Sequence, residues 1–354
     1  MGLWEKFQTR RQKGYTLTKL VDERFLDLAT TVETSNHIIC DIDKTYLETE
    51  FESFSKMAKI AFESAAQKIT VEGAETVLHA CRWSKASTQN VDFNSALLRD
   101  FKPYASLHFV SSSPPQLRGV LEEKLFRDNI DWESDTFKNQ IYNLRKIRID
   151  QLRSHIAYKT SAILKILTRA KDGDDFYFIG DNAESDPPIY LGIKAFVEGV
   201  LSAAEYTNYL LALGVGEEQI AQISTDFADL PKCSVKGIFI RLLPQKQVLD
   251  FSPFSDVISY FINFYELALY FENRGIIAED YMSKIVKIFQ SRYFLSSKLV
   301  ESYMRIKNGN DLSLHEFSFK NLERCGKSAT SWQKNREAIL LSSMQLAHAH
   351  LSSK

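Results

Sequence analysis

Apolar runs of strand length recur along this chain of 354 residues, and polar residues close most of them. NHIIC (36–40) stops at Asp41, SLHFV (106–110) at Ser111–Ser113 and DFYFIG (175–180) at Asp181, while VKGIFIRL (235–242) is a fourth such run. Between them apolar residues return at helical spacing: at positions 51, 54, 58, 61, 62 and 65, then in AETVLHACRW after Gly73, then in KTSAILKILTRA (159–170). Short apolar strands alternating with helices predict an α/β protein, a doubly wound parallel sheet covered on both faces. In such a sheet the ligand site lies outside the carboxyl ends of the strands. Asp41–Asp43, Ser111–Ser113 and Asp181–Asp186 all fall at those ends.

The flanks read differently. Residues 16–33 have the pattern of a helix entering the first strand, so 1–35 is expected to be a helical lead-in. After Pro244 the signals are helical only, at 254–272, 279–291, 295–306 and 331–350. This places a boundary near 245, between an α/β domain over 36–244 and a C-terminal all-helical domain over 245–354. The most apolar segment, FSDVISYFINFYELALYF (254–271), is interrupted by Asp256, Asn263 and Glu266. It reads as a buried helix rather than a membrane span, with peripheral membrane contact as the alternative for its thin polar face.

Composition removes several classes. A formal net charge of −1 argues against nucleic-acid binding, which calls for a basic excess. The cysteines at 40, 81, 233 and 325 are far apart, without a C-x-x-C pair or a histidine at zinc spacing, so a reducing compartment is expected. The N-terminus MGLWEKFQTRRQKGY is too polar for a signal peptide and lacks the Ser or Thr at position 6 of a myristoylation signal. The expected location is cytoplasmic.

Taken singly, each polar cluster has an ordinary reading. Asp41 and Asp43 fit a turn in which Asp caps its own backbone, Ser111 a strand-end hydroxyl, Lys159 a solvated helix lysine, and Asp181, Glu184 and Asp186 an acidic turn stopped by Pro187 and Pro188. In order, however, they resemble the four motifs of the haloacid-dehalogenase-like (HAD) phosphatases, whose core is Rossmann-like. D-x-D-x-T is Asp41, Asp43 and Thr45; the strand-terminal serine is Ser111; the lysine is Lys159; G-D-x-x-x-x-D is Gly180, Asp181 and Asp186. HFVSSSPPQL and FIGDNAESDPPIY further resemble the catalytic domain of the actin-patch phosphatidate phosphatases, as does VKGIFIRLL with its Arg241, over roughly 36–243. Lys44 stands where that group usually has Asp, Pro115 where it has Trp, and FRDNIDWESDTFKN replaces its Gly/Pro-rich stretch.

The resemblance implies a phosphoric monoester hydrolase in which Asp41 is the nucleophile, forming an aspartyl-phosphate, and Asp43 the acid and then the base. It implies Mg2+ held by Asp41, the Asp43 backbone carbonyl and Asp181, with Asp186 or Glu184 in support. Ser111 and Lys159 would bind phosphoryl oxygens, with Ser112 and Thr45 as further substrate contacts. The expected substrate is a phosphatidate-like or other bulky phosphomonoester, a small molecule or a lipid head group. The insertion at 46–105 is where cap modules occur; with the helix after Gly73 assigned to the core, the cap is modest and the site open. Arg145, Lys146, Arg148 and Arg153 form either a solvated basic face or a patch that draws an anionic substrate in. A phosphotransferase or mutase, or a silent phosphate-binding scaffold working through its helical domain, is compatible with the same motifs.

Overall fold

In a computed structural model the described residues are 13–17, 21–26, 34–48, 65–85, 103–138, 150–183, 185–243 and 257–307. The strands are β1 (Lys13–Leu17), β2 (Val21–Leu26), β3 (Asn36–Asp41), β4 (Ala105–Ser111), β5 (Ser134–Lys138), β6 (Asp175–Asp181), β7 (Ser234–Arg241) and β8 (Ile258–Phe261). The helices are α1 (Ala74–Trp83), α2 (Arg118–Arg127), α3 (Asp150–Leu167), α4 (Asp186–Val197), α5 (Ala203–Ala212), α6 (Glu217–Ile223), α7 (Phe264–Asn273), α8 (Glu279–Arg292) and α9 (Ser296–Lys307). In the first of two compact units the strand order is β1-β2-β5-β4-β3, with β3, β4 and β5 parallel; in the second it is β6-β7-β8, all parallel, and helices flank the strands. The expected α/β class holds.

By packing, the chain divides into two compact units, Met1–Tyr142 with Asn263–Ile306, and Asn143–Ile262 with Lys307–Lys354. In the first, β4 pairs in parallel with both β3 and β5, and all seven of its residues are buried. That burial is what a strand covered on both faces requires, and it explains why SLHFV reads as a continuous apolar run. β2 adds to β5 antiparallel, and β1 to β2. Helix α1 begins at Gly73, whose φ of 80° and close approach to the Phe289 ring of α8 both exclude a side chain. In the second unit β6 pairs with β7 and β7 with β8, all parallel. There α4 and α5 approach closely at Gly192, where a Cβ would fall on the Tyr209 ring.

Three expectations change. Residues 13–17 and 21–26 are strands, not part of a helical lead-in: Tyr15 pairs with Arg24, and Glu23 with Thr136. A sheet edge satisfies their backbone groups, and this tertiary partner outweighs a helical pattern in the sequence. Residues 258–261, read as helix, are β8; the helix starts only at Asn263, whose Oδ1 accepts the Glu266 amide at 3.1 Å. The sheet therefore continues past the boundary placed near 245, and residues 263–306 pack with the first unit, α7 and α8 lying against α1. The helices expected at 51–65 and 331–350 lie, all but Ala65 of the first, outside the described residues. Cys40, Cys81 and Cys233 form no disulfide among the described residues, and no helix there is long and apolar enough to cross a membrane.

Candidate active site

In the first unit, chemistry-bearing residues collect where β3 and β4 end. Asp41 is the last residue of β3, and Asp43 lies beyond it in a turn where Tyr46 N and Leu47 N both donate to Ile42 O, at 3.0 and 2.9 Å. The turn includes Lys44 at φ 61°, a left-handed conformation that costs a residue with a Cβ roughly 1 kcal/mol. Ile42 N donates to Val110 O at 3.0 Å and ties the turn to β4. Both carboxylates are buried, Asp41 at 1% and Asp43 at 3% exposure. Thr45 Oγ1 reaches Asp41 Oδ2 at 3.5 Å.

Ser111, the final residue of β4, donates its hydroxyl to Asp43 Oδ2 at 2.8 Å. Ser113 adds a second hydroxyl, 3.3 and 3.2 Å from the two Asp43 oxygens, and its amide donates to Ser111 Oγ at 3.1 Å. A carboxylate accepting from two hydroxyls is fixed in orientation and charge-stabilised. Ser112 is buried beside them. The sequence reading assigned Ser111 and Ser112 but gave Ser113 no role. The sequence signal was the run of three serines itself, since residues two apart leaving a strand end can turn to the same side.

In the second unit, the structure pairs the expected lysine and the expected fourth-motif acid. Lys159, on α3, donates to Asp186 Oδ1 at 2.5 Å, and both side chains are withdrawn from solvent. Asp186 is the first residue of α4, where a negative charge suits the helix dipole and the following Pro187 and Pro188 lack only amides that a first turn leaves unpaired. Its Oδ2 accepts the Asp181 amide at 3.2 Å. Asp181 ends β6, and its Oδ1 accepts Ala183 N at 2.5 Å. A Cβ at Gly180 would collide with the Asp186 carboxylate and the Tyr190 ring, so glycine is what lets these groups close up. Asn182 anchors the loop to β7 through Asn182 N to Arg241 O at 3.1 Å and Leu243 N to Asn182 Oδ1 at 2.9 Å.

Asp41 and Asp43 are buried in the first unit, and Asp181 and Asp186 in the second. Carboxylate oxygens of this kind suit a hard divalent cation, which would offset their repulsion. Glu184 lies outside the described residues, as do Arg145, Lys146 and Arg148 and the side chain of Arg153.

Residues 36–202 match the family model described as phosphatidate phosphatase APP1, catalytic domain. The matched stretch contains Asp41, Asp43, Thr45, Ser111–Ser113, Lys159, Asp181 and Asp186, so the resemblance drawn from the motifs holds over it. It covers slightly less than half of the chain's 354 residues and stops before β7. No curated protein and no solved structure matches the chain.

Proposed function

We propose that the chain is a Mg2+-dependent phosphatase that hydrolyses a phosphatidate-like or other bulky phosphomonoester through an aspartyl-phosphate. The observation that carries this reading is the burial of Asp41, Asp43, Asp181 and Asp186 at the four motif positions, all within the stretch that matches a phosphatase catalytic domain. The match of residues 36–202 to a phosphatidate phosphatase catalytic domain supports the substrate class.

A carboxylate oxygen of Asp41 attacks phosphorus, and the ester P–O bond breaks as the acyl-phosphate bond forms. Asp43, held by Ser111 and Ser113, gives a proton to the leaving oxygen, then takes one from the water that attacks the acyl phosphate. Inorganic phosphate departs and the Asp41 carboxylate is restored. Mg2+, held by Asp41, Asp181 and Asp186 with the Asp43 carbonyl, would supply positive charge for the phosphoryl oxygens. Lys159 neutralises Asp186, and its pairing limits how many uncompensated negative charges the site carries. Ser111, Ser112 and Thr45 are the hydroxyls assigned to the phosphoryl group. The buried cysteines suit a reducing, cytoplasmic setting.

The test is hydrolysis of an aryl phosphate by wild type and Asp41→Asn, each with Mg2+ and with chelator. The expected result is turnover that needs the metal and falls by about three orders of magnitude or more in the variant. Equal rates in all four conditions would reject the proposal in favour of a non-catalytic role. Comparing phosphatidate in vesicles with soluble phosphomonoesters then sets the substrate class.

A further inference from the structure

Two serine hydroxyls meet Asp43, and they are not equivalent. Ser111 Oγ donates to Asp43 Oδ2 at 2.8 Å. Ser113 Oγ lies 3.3 Å from Oδ1 and 3.2 Å from Oδ2, almost midway between the two oxygens. All three side chains are buried, so a donor lost here is not simply replaced by bulk water. The motifs place Ser111 at the phosphoryl group and give Ser113 no role.

A serine hydroxyl carries a single hydrogen. Ser111 Oγ accepts the Ser113 amide at 3.1 Å, and its own hydrogen goes to Asp43. To donate to a phosphoryl oxygen, as the proposed function asks of it, Ser111 must let go of Asp43. Ser113 is under no such demand, and its backbone is pinned on both sides. Its amide is held by Ser111 Oγ and its carbonyl accepts Lys138 N of β5 at 3.3 Å. Pro114, which follows, narrows its backbone freedom further. The Ser113 hydroxyl therefore stays at the carboxylate when Ser111 turns away. Because it reaches both oxygens, it can serve whichever one does not carry the proton.

We infer that Ser111 and Ser113 divide the work around Asp43. Ser111 turns from the carboxylate to the phosphoryl group as substrate binds. Ser113 is the positioning residue that keeps Asp43 aimed at the leaving oxygen. The proton passes from Asp43 to that oxygen as the ester P–O bond breaks, and Ser113 keeps its own hydrogen. This rests on the phosphatase reading, in which Asp43 is the acid and then the base.

The experiment compares kcat/KM on an alkyl phosphate, whose alkoxide needs a proton to leave, with that on p-nitrophenyl phosphate, whose phenolate leaves without one. This quantity reads the steps up to ester cleavage, before Asp43 acts as base. Ser113→Ala should lose about 10–100-fold on the alkyl ester and less than about threefold on the aryl ester. Ser113→Cys, which keeps the side chain's bulk with a weak donor, should follow it. Ser113→Thr, which keeps the hydroxyl, should recover most of the loss. Ser111→Ala should lose alike on both esters, because a phosphoryl donor serves both. Thermal melts check that each variant is folded, and Ser113→Cys carries the comparison where Ser113→Ala is not. Equal losses on the two esters, no loss on either, or a Ser113→Thr no better than Ser113→Ala overturns the proposal and leaves the phosphatase reading standing. No turnover of the aryl ester by wild type removes that reading, and this inference with it.

Discussion

Lys159 and Asp186 are opposite charges taken out of water together, one on α3 and one opening α4, with the ammonium 2.5 Å from a carboxylate oxygen. Breaking such a pair costs more than the pair itself contributes, because the survivor stays buried without its counter-charge. Lys159→Met is therefore expected to lower stability by about 3–5 kcal/mol in urea denaturation. Lys159→Met/Asp186→Leu should recover much of that loss, since two apolar side chains bury without a desolvation penalty. Neither variant should turn over an aryl phosphate. A single variant as stable as wild type would show that the salt bridge does not hold α3 to the start of α4.

At the scale of elements, the turn after β3 is moored to the helix after β4. Tyr46 OH donates to Asp128 Oδ2 at 2.6 Å, Thr70 donates to the same oxygen, and Lys124 Nζ meets Asp128 Oδ1 at 2.6 Å. Backbone bonds from Glu48 N to Ile69 O and from Val71 N to Tyr46 O, both 2.9 Å, hold the same turn from its other side. Asp128 thus sits at the end of α2 and positions a turn that carries Asp43. Asp128→Asn keeps the shape but removes the charge that Lys124 and two hydroxyls address. It is expected to cost roughly 1–3 kcal/mol of stability and about tenfold in kcat, with KM little changed. Steady-state kinetics beside thermal melts check this; an unchanged kcat in a destabilised protein would limit Asp128 to a structural part.

Across the whole molecule, several phenols are held protonated against base. Burial, then the nearby Asp128 charge, pushes Tyr46 well above its ordinary value. Burial raises Tyr206 and Tyr209 likewise, and burial with a hydrogen bond to Glu75 pushes Tyr293 up to about 12. In the unfolded chain these groups ionise near pH 10. Above that pH the folded state binds more protons than the unfolded one, so stability falls as pH rises. The stabilising contribution is complete below about pH 10 and disappears as pH climbs through the folded values, at up to ~1.4 kcal/mol per pH unit for each phenol. Unfolding midpoints measured from pH 8 to 11 should drop above 10, with a shallower fall in Tyr46→Phe. By contrast Arg82 is safe from base: burial opposes its charge, but Glu133 and Asp131 outweigh burial and raise its pKa.

The strands whose ends carry the candidate site were legible because the signals are local. A short apolar run closed by Asp41, Ser111 or Asp181 reads the same in isolation as in the folded chain, so the α/β class and the strand-end places of these residues followed from periodicity and punctuation, while the motifs came from the resemblance. Four strands were not legible: β1, β2, β5 and β8 exist because a neighbouring strand satisfies their backbone, and the segments containing them either carried a helical pattern or none. Side-chain partnerships were equally hidden. The residues Lys159, Asp186 and Ser113 were all visible, but the ion pair between the first two and the third's hydrogen bonds to Asp43 depend on separations that only folding sets. The apolar segment read as a buried helix is mostly buried over its described residues, but as strand β8 followed by α7. Sequence alone determined which residues could bear charge and hydroxyls at strand ends; tertiary structure decided which were paired and which faces stayed wet, because burial is a property of the whole fold.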